Sequence, residues 1–175
     1  MRPDYPRFGD DVVCQCVADD ARLELVGGGE YAASFSGEMA VTVDESFEEN
    51  GYAIVPLAIR GHRTVGHAEG LGRLTVDRDP EREAPPSRLA EIEPGTGFPA
   101  TQDMHVKICV TAPDVLPGVA LRNVEPGILR NVGQESFPPR NARYELQAPL
   151  DLERVDEPGM IVARILSYTA NINPS

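Results

Sequence analysis

The chain has 175 residues and a formal net charge of -12, from 28 acidic and 16 basic residues. Its length suits a single domain spanning 1–175, and its 41% hydrophobic and 25% charged residues are typical of a chain that folds. The negative field would repel phosphate backbones and anionic bilayers, so we expect neither nucleic acid nor a membrane as a partner.

The first third of the chain carries alternating apolar and polar residues, the pattern of a strand with one buried face. Strands are predicted over 10–18 and 22–26, followed by a glycine-rich turn. The long segment 31–43 keeps its apolar residues at odd positions. A strand of that length must bend, and Gly37 is the position where bending is easiest.

A nearly continuous apolar segment, 52–60, follows an acidic turn and predicts a strand buried on both sides. The next strand is predicted over 64–77. Its apolar phase changes after Leu71, and a bulge near 70–72 would absorb that change. Residues 79–99 are rich in proline, glycine and charge, which predicts a long loop that separates two groups of strands and covers an opening between them.

The second group of strands follows the same alternation. It is predicted over 102–112, 119–124, 128–132, 143–155 and 160–172. The turn at 156–159 makes the last two a hairpin. The sequence therefore predicts an all-β fold of about eight or nine strands, a single-domain antiparallel β-barrel, with a two-layer β-sandwich as the alternative.

The motifs of the familiar enzyme classes are missing from the sequence, and we predict no cofactor and no metal. Cys14, Cys16 and Cys109 make an odd set that indicates no disulfide framework. The N-terminal residues lack the apolar core of a signal peptide, and the longest apolar run is too short to cross a bilayer. We therefore expect a cytoplasmic protein.

Four residues are candidates for catalysis. His67 and Glu69 share the strand phase of Val65, so they would face the apolar side as proton handlers; the alternative is that both are simply solvated. Arg164 interrupts an apolar series and would anchor an anion with the help of the Tyr168 hydroxyl. The alternative for Arg164 is a structural ion pair.

Tyr31, Phe35, Met39 and Met104 lie on apolar phases and are candidates for lining a ligand pocket. Ordinary core packing is the alternative. The predicted ligand is an apolar or anionic small molecule, and sheet edges offer a route to a homo-oligomer.

The general type, a small all-β protein with arginine as almost its only cation, resembles barrel proteins that actinobacteria use in natural-product pathways as cofactor-free cyclases or isomerases. The resemblance covers no motif and transfers no residue. It implies a small-molecule-binding barrel of secondary metabolism, with cyclisation or isomerisation as its reaction. A non-catalytic protein-interaction or structural module is the alternative function, so whether the protein is an enzyme stays open.

Overall fold

The computed structural model describes residues 5–175, and that part of the chain contains strands and turns but no helix. It therefore contains no helix that is long and apolar enough to span a bilayer. The prediction of an all-β fold is confirmed. The strands are β1 Asp11–Leu25, β2 Gly29–Val43, β3 Phe47–Glu49, β4 Tyr52–Ala68, β5 Gly72–Arg78, β6 Ser87–Glu91, β7 Ala100–Val106, β8 Ile108–Thr111, β9 Ala120–Asn123, β10 Gly127–Gln134, β11 Ala142–Leu146, β12 Leu150–Arg154, β13 Ile161–Ser167 and β14 Thr169–Pro174.

The pairings of these strands are all antiparallel and form two closed circuits within one sheet. The first circuit runs β1, β2, β4, β5, β8, β9, β12, β13 and back to β1. The second runs β1, β2, β4, β6, β7, β10, β11, β14 and back to β1. The prediction of a single barrel with eight or nine strands is wrong, because 13 of the 14 strands in residues 5–175 form two circuits that share β1, β2 and β4, while β3 pairs with β4 outside both circuits.

The three shared strands are the longest in the molecule, with 15, 15 and 17 residues. The predicted strand over 31–43 is confirmed and begins at Gly29. Gly37 faces Thr64 of β4, and a Cβ atom at Gly37 would collide with the carbonyl oxygen of Arg63. Glycine is therefore required there for the close approach of β2 and β4.

Each circuit encloses its own apolar core. The first core is built from β1, β2, β4, β5, β8, β9, β12 and β13, and Leu74, at 2% exposure, is among its most buried side chains. The second core is built from β1, β2, β4, β6, β7, β11 and β14 around Leu57 and Tyr144. The hydroxyl of Tyr144 lies 2.7 and 2.6 Å from the side-chain oxygens of Gln102 and Gln134 and donates its hydrogen between these two acceptors.

The strand count exceeds the prediction because several alternating segments divide where the chain passes from one circuit to the other. The segment 102–112 divides at Lys107, and 160–172 divides at Tyr168. The segment 143–155 divides at 147–149, while the predicted bulge at 70–72 is part of the turn between β4 and β5. The predicted terminal hairpin is confirmed, since β12 pairs with β13. The long segment 79–99, predicted as a loop, contains the short strand β6.

Candidate functional site

The two circuits diverge along one short stretch of β4, residues 58–62, which we call the fork. On the side away from β2, β4 pairs with β6 up to Leu57 and with β5 from Arg63 onward. Among residues 5–175 the fork has no strand partner on that side. Two other parts of the chain pass between the circuits at the same place. One is 79–86, which connects β5 to β6, and the other is Lys107, which interrupts the ladder between β7 and β8.

An apolar cavity of about 50 Å³ lies inside the first circuit, next to the fork. Its wall comes mainly from β1, β2, β4, β5, β8, β12 and β13 of the first circuit, with one residue each from β7, β10 and β11 of the second. Only two of its lining side chains carry a polar group, His62 and Tyr168. The full lining is Leu23, Phe35, His62, Val76, Val106, Ile108, Val110, Leu129, Leu146, Leu150, Ile165 and Tyr168.

His62, the last residue of the fork, has a buried Nδ1 atom with no hydrogen-bond partner in the described part of the chain. Burial lowers the pKa of the imidazole to about 4, and the weaker opposing attraction of Asp77 does not offset it. The ring is therefore neutral at pH 7. A neutral imidazole with a free nitrogen beside an apolar cavity can accept or donate one hydrogen bond to a bound molecule.

Tyr168 connects β13 to β14 and packs against both apolar cores. Its ring lies 6.0 Å from that of Phe35, centroid to centroid. Burial raises the pKa of the phenol well above its usual range, so the hydroxyl keeps its proton. The hydroxyl lies against that of Thr64, but the geometry falls short of a full hydrogen bond. It is thus a second polar group at the edge of the apolar cavity.

A larger cavity of about 220 Å³ lies on the other side of His62, at the fork. Its wall includes the cations Arg60, Arg78, Arg82 and Lys107 and the carboxylates of Asp44 and Glu83. The two cavities share three lining residues: His62, Val106 and Ile108. A polar compartment and an apolar compartment therefore meet at one histidine.

The segment 79–86 forms one wall of the larger cavity and is fastened by Asp79 and Arg82. The Arg82 guanidinium donates to the Asp79 carboxylate at 2.5 Å and to the backbone oxygen of Asn123 at 2.7 Å. Asp79 is only 2% exposed and also accepts the backbone N–H of Glu81. These contacts fix the segment to β9 of the first circuit.

The predicted proton handlers His67 and Glu69 are both exposed and lie away from the two cavities. The expectation that they share an inward face with Val65 is wrong, because Val65 is itself exposed while Thr64 and Ala68 are buried. Their structural surroundings match the alternative interpretation, in which both are solvated.

Arg164 also lies on the outer face, because its neighbours Ala163 and Ile165 are the buried residues of β13. The guanidinium donates to the Asp151 carboxylate at 2.6 Å and lies 3.8 Å from that of Glu24. Both acids face Arg164 across the sheet. The geometry is that of the structural ion pair rather than of an interior anion anchor.

The four residues predicted to line a ligand pocket do not lie together: two belong to the core of the first circuit and two to the core of the second. Phe35 lines the apolar cavity. Tyr31 is half-buried at the periphery of the first core, and its hydroxyl donates to the Gly28 carbonyl at 2.9 Å. Met39 and Met104 lie in the second core, 3% and 1% exposed.

The three cysteines are free thiols in the structure. Burial raises the pKa of Cys14 to about 11 and that of Cys16 to about 12, the latter with a further contribution from Cys14. Both therefore stay protonated in the second core. Within residues 5–175 no three histidine, cysteine or acidic side chains are grouped as metal ligands.

The chain is similar in structure to DynF from the dynemicin biosynthesis pathway of Micromonospora chersina. The TM-score is 0.81 at 26% sequence identity, over 97% of this chain and 82% of that one. No protein-family model matches the chain, and no curated protein matches it in sequence. The similarity supports a fold used in natural-product biosynthesis.

Proposed function

We propose that this protein binds a small molecule of bacterial natural-product metabolism across the two adjoining cavities, with an apolar end of the molecule in the cavity of about 50 Å³ that the first circuit encloses. The observation that carries the proposal is the single buried, unpartnered nitrogen of His62 in a cavity whose wall is otherwise almost wholly apolar. Ligand sites typically combine such an apolar wall with a few placed polar groups. Similarity to DynF supports the pathway class.

Three residues have defined roles in this proposal. Phe35 supplies apolar contact, the Tyr168 hydroxyl donates a hydrogen bond, and His62 provides the second polar contact. Phe35 and Tyr168 come from the set that the sequence predicts. His62 replaces His67 and Glu69, which are exposed outside the cavity.

The experiment is a titration with the neutral fluorescent probe N-phenyl-1-naphthylamine. We expect saturable binding that weakens by about threefold to tenfold in Val110→Phe, because the larger ring fills the apolar cavity. Met104→Leu in the second core is the control and should bind as the wild type does. Equal affinity in Val110→Phe and the wild type, with both folded, would refute the proposed site.

The same geometry supports proton transfer as a second function, of the kind used in cofactor-independent isomerisation. A neutral imidazole with a pKa of about 4 is a weak base, so His62 would take a proton only from a carbon that the ligand itself strongly acidifies; it would return that proton to another carbon, leaving the atoms balanced. Tyr168 would stabilise the negative charge that develops between the two steps. Incubation of a bound pathway ligand in D₂O tests this function: deuterium uptake into the ligand should occur with wild type and be lost in His62→Leu.

A further inference from the structure

We propose that Arg60, Arg78 and Lys107 form an anion-binding subsite at the fork. In this subsite a carboxylate, sulfonate or phosphate group of the bound molecule lies beside the three cations while its apolar part extends past His62 into the apolar cavity. The proposal rests on the proposed function, because it concerns the polar end of the same ligand. It defines the ligand class as an anionic amphipath.

The first argument is the state of the three cations. None of them has an ion pair or a side-chain hydrogen bond with any residue of 5–175. Nine of the twelve other arginines in residues 5–175 are ion-paired, including the exposed Arg143. In a chain with 28 acidic residues, three unpaired cations around one cavity are unexpected unless the charge serves another partner.

The second argument is the balance of charge in the cavity wall. Four cations and two carboxylates line it. Arg82 is already bound to Asp79 and Asn123, so its guanidinium is committed to the wall itself. The remaining three cations outnumber the two acids of the wall, Asp44 and Glu83. In residues 5–175 neither acid forms an ion pair with any of these cations. An anion would therefore find surplus positive charge in a partly enclosed space.

The third argument is the connection between the compartments. His62, Val106 and Ile108 line both cavities, and the side chain of Lys107 lines the larger one from between two of these residues. The backbone of Lys107 is fixed, since its carbonyl accepts the Asp79 N–H at 2.9 Å. A molecule with one apolar end and one anionic end could place its apolar end in the apolar cavity and its anionic end in the larger, polar cavity.

The test compares two probes that share one anilinonaphthalene body. One is 8-anilinonaphthalene-1-sulfonate, and the other is the neutral N-phenyl-1-naphthylamine. We expect Arg60→Gln, Arg78→Gln and Lys107→Gln each to weaken sulfonate binding by about threefold to tenfold and to leave neutral-probe binding unchanged. Arg140→Gln, which removes an exposed arginine outside both cavities, is the matched control and should change neither.

Lys107 also offers a test on the wild-type protein, because it is the only lysine of the sequence. We expect the sulfonate probe to slow acetylation of Lys107 by an amine-reactive ester, read by mass spectrometry, while the neutral probe does not. Acetate and inorganic phosphate, as competitors, distinguish a carboxylate subsite from a phosphate subsite.

The anion subsite would be overturned if the three variants weakened binding of both probes equally, or weakened binding of neither probe. It would also be overturned if Lys107 were acetylated at the same rate in the presence of either probe. Such a result leaves the apolar site standing, since the neutral probe reports it separately. If the neutral probe itself does not bind, the proposed function fails instead.

Discussion

At the scale of single residues, burial changes the pKa of His62 within a pH range that stability measurements readily cover. Its pKa falls from 6.5 to about 4 on folding because burial disfavours the imidazolium. The unfolded chain therefore binds a proton that the folded chain does not bind between these two values. Stability should be unaffected by His62 above pH 6.5 and should fall as the pH decreases from 6.5 to about 4.

We expect this loss to reach at most about 3 kcal/mol at pH 4, less where water in the cavities solvates the ring. The measurement is the free energy of unfolding by urea at several pH values, for wild type and for His62→Leu. The other titrating groups are common to both proteins, so their difference isolates His62. Parallel pH curves for the two proteins would show that the imidazole is not buried as described.

The residue scale also shows why the sequence misidentified the inward face of β4. The inner positions after His62 are Thr64, Gly66 and Ala68, all small or polar, whereas the larger Val65 points outward. The reason is the close approach of β2, because a Cβ atom at Gly66 would collide with the backbone oxygen of Ser34 and would lie 2.5 Å from the Cδ1 atom of the Phe35 ring. A large neighbour on β2 thus dictates small residues on β4, and this cross-strand relation is not visible in one segment alone.

At the scale of elements, the crossing of β2 and β4 gives a prediction about Gly37. A methyl group at this position would meet the Arg63 carbonyl and the Thr64 Cα, both of them backbone. We expect Gly37→Ala to lower the free energy of unfolding by about 1–3 kcal/mol, because backbone cannot move aside as a flexible side chain would.

Gly61→Ala is the matched control for Gly37→Ala. It changes the same residue type on the partner strand, and its nearest atom, the Ala40 Cβ, is 3.7 Å away, an ordinary contact. Thermal and urea unfolding of the two variants should therefore differ clearly. Equal stability would mean that β2 and β4 do not approach each other as closely as the structure has them.

A second element-scale prediction concerns the segment 79–86. Arg82→Met keeps the aliphatic part of the side chain but removes the bonds to Asp79 and Asn123, and it leaves the buried Asp79 carboxylate with less compensation. We expect faster amide hydrogen exchange across 79–86, with the exchange of β9 and β12 changed far less. Unchanged exchange in the segment would contradict its attachment through Arg82.

Strand positions were largely predictable from the sequence because alternation survives wherever one face is buried. The hairpin of β12 and β13 and the long strand β2 are the clearest cases. Strand ends were not predictable at the crossings. At Lys107 and at Tyr168 the chain passes from a strand of one circuit to a strand of the other through a single residue. The alternation of apolar and polar residues therefore continues although the strand ladder is interrupted.

At the scale of the whole molecule, two apolar cores share three strands, and this arrangement predicts one cooperative unfolding transition. Leu74→Ala removes a buried side chain from the first core, and Leu57→Ala removes one from the second. Each should lower stability by about 2–5 kcal/mol. Calorimetry should show a single transition for both variants, with the calorimetric and van't Hoff enthalpies equal. Two resolved transitions would contradict the prediction that 1–175 is one domain.

The candidate site was the least predictable part of the molecule, for a reason of topology. His62, Arg78 and Lys107 lie on three segments that are far apart in sequence and meet only because the circuits diverge at the fork. Neither His62 nor Lys107 is among the site residues that the sequence predicts. Only Phe35 and Tyr168 carried a local signal, an aromatic ring on an apolar phase.

The sharing of β1, β2 and β4 has a consequence for how relatives of this protein can diversify. Neither half can be duplicated, deleted or exchanged as a module, because each would take with it the strands that enclose the other. New ligand preferences have to arise in the connections that belong to no ladder, chiefly 79–86. Comparison of related chains should therefore find variation concentrated in these connections, against a conserved trio of long strands.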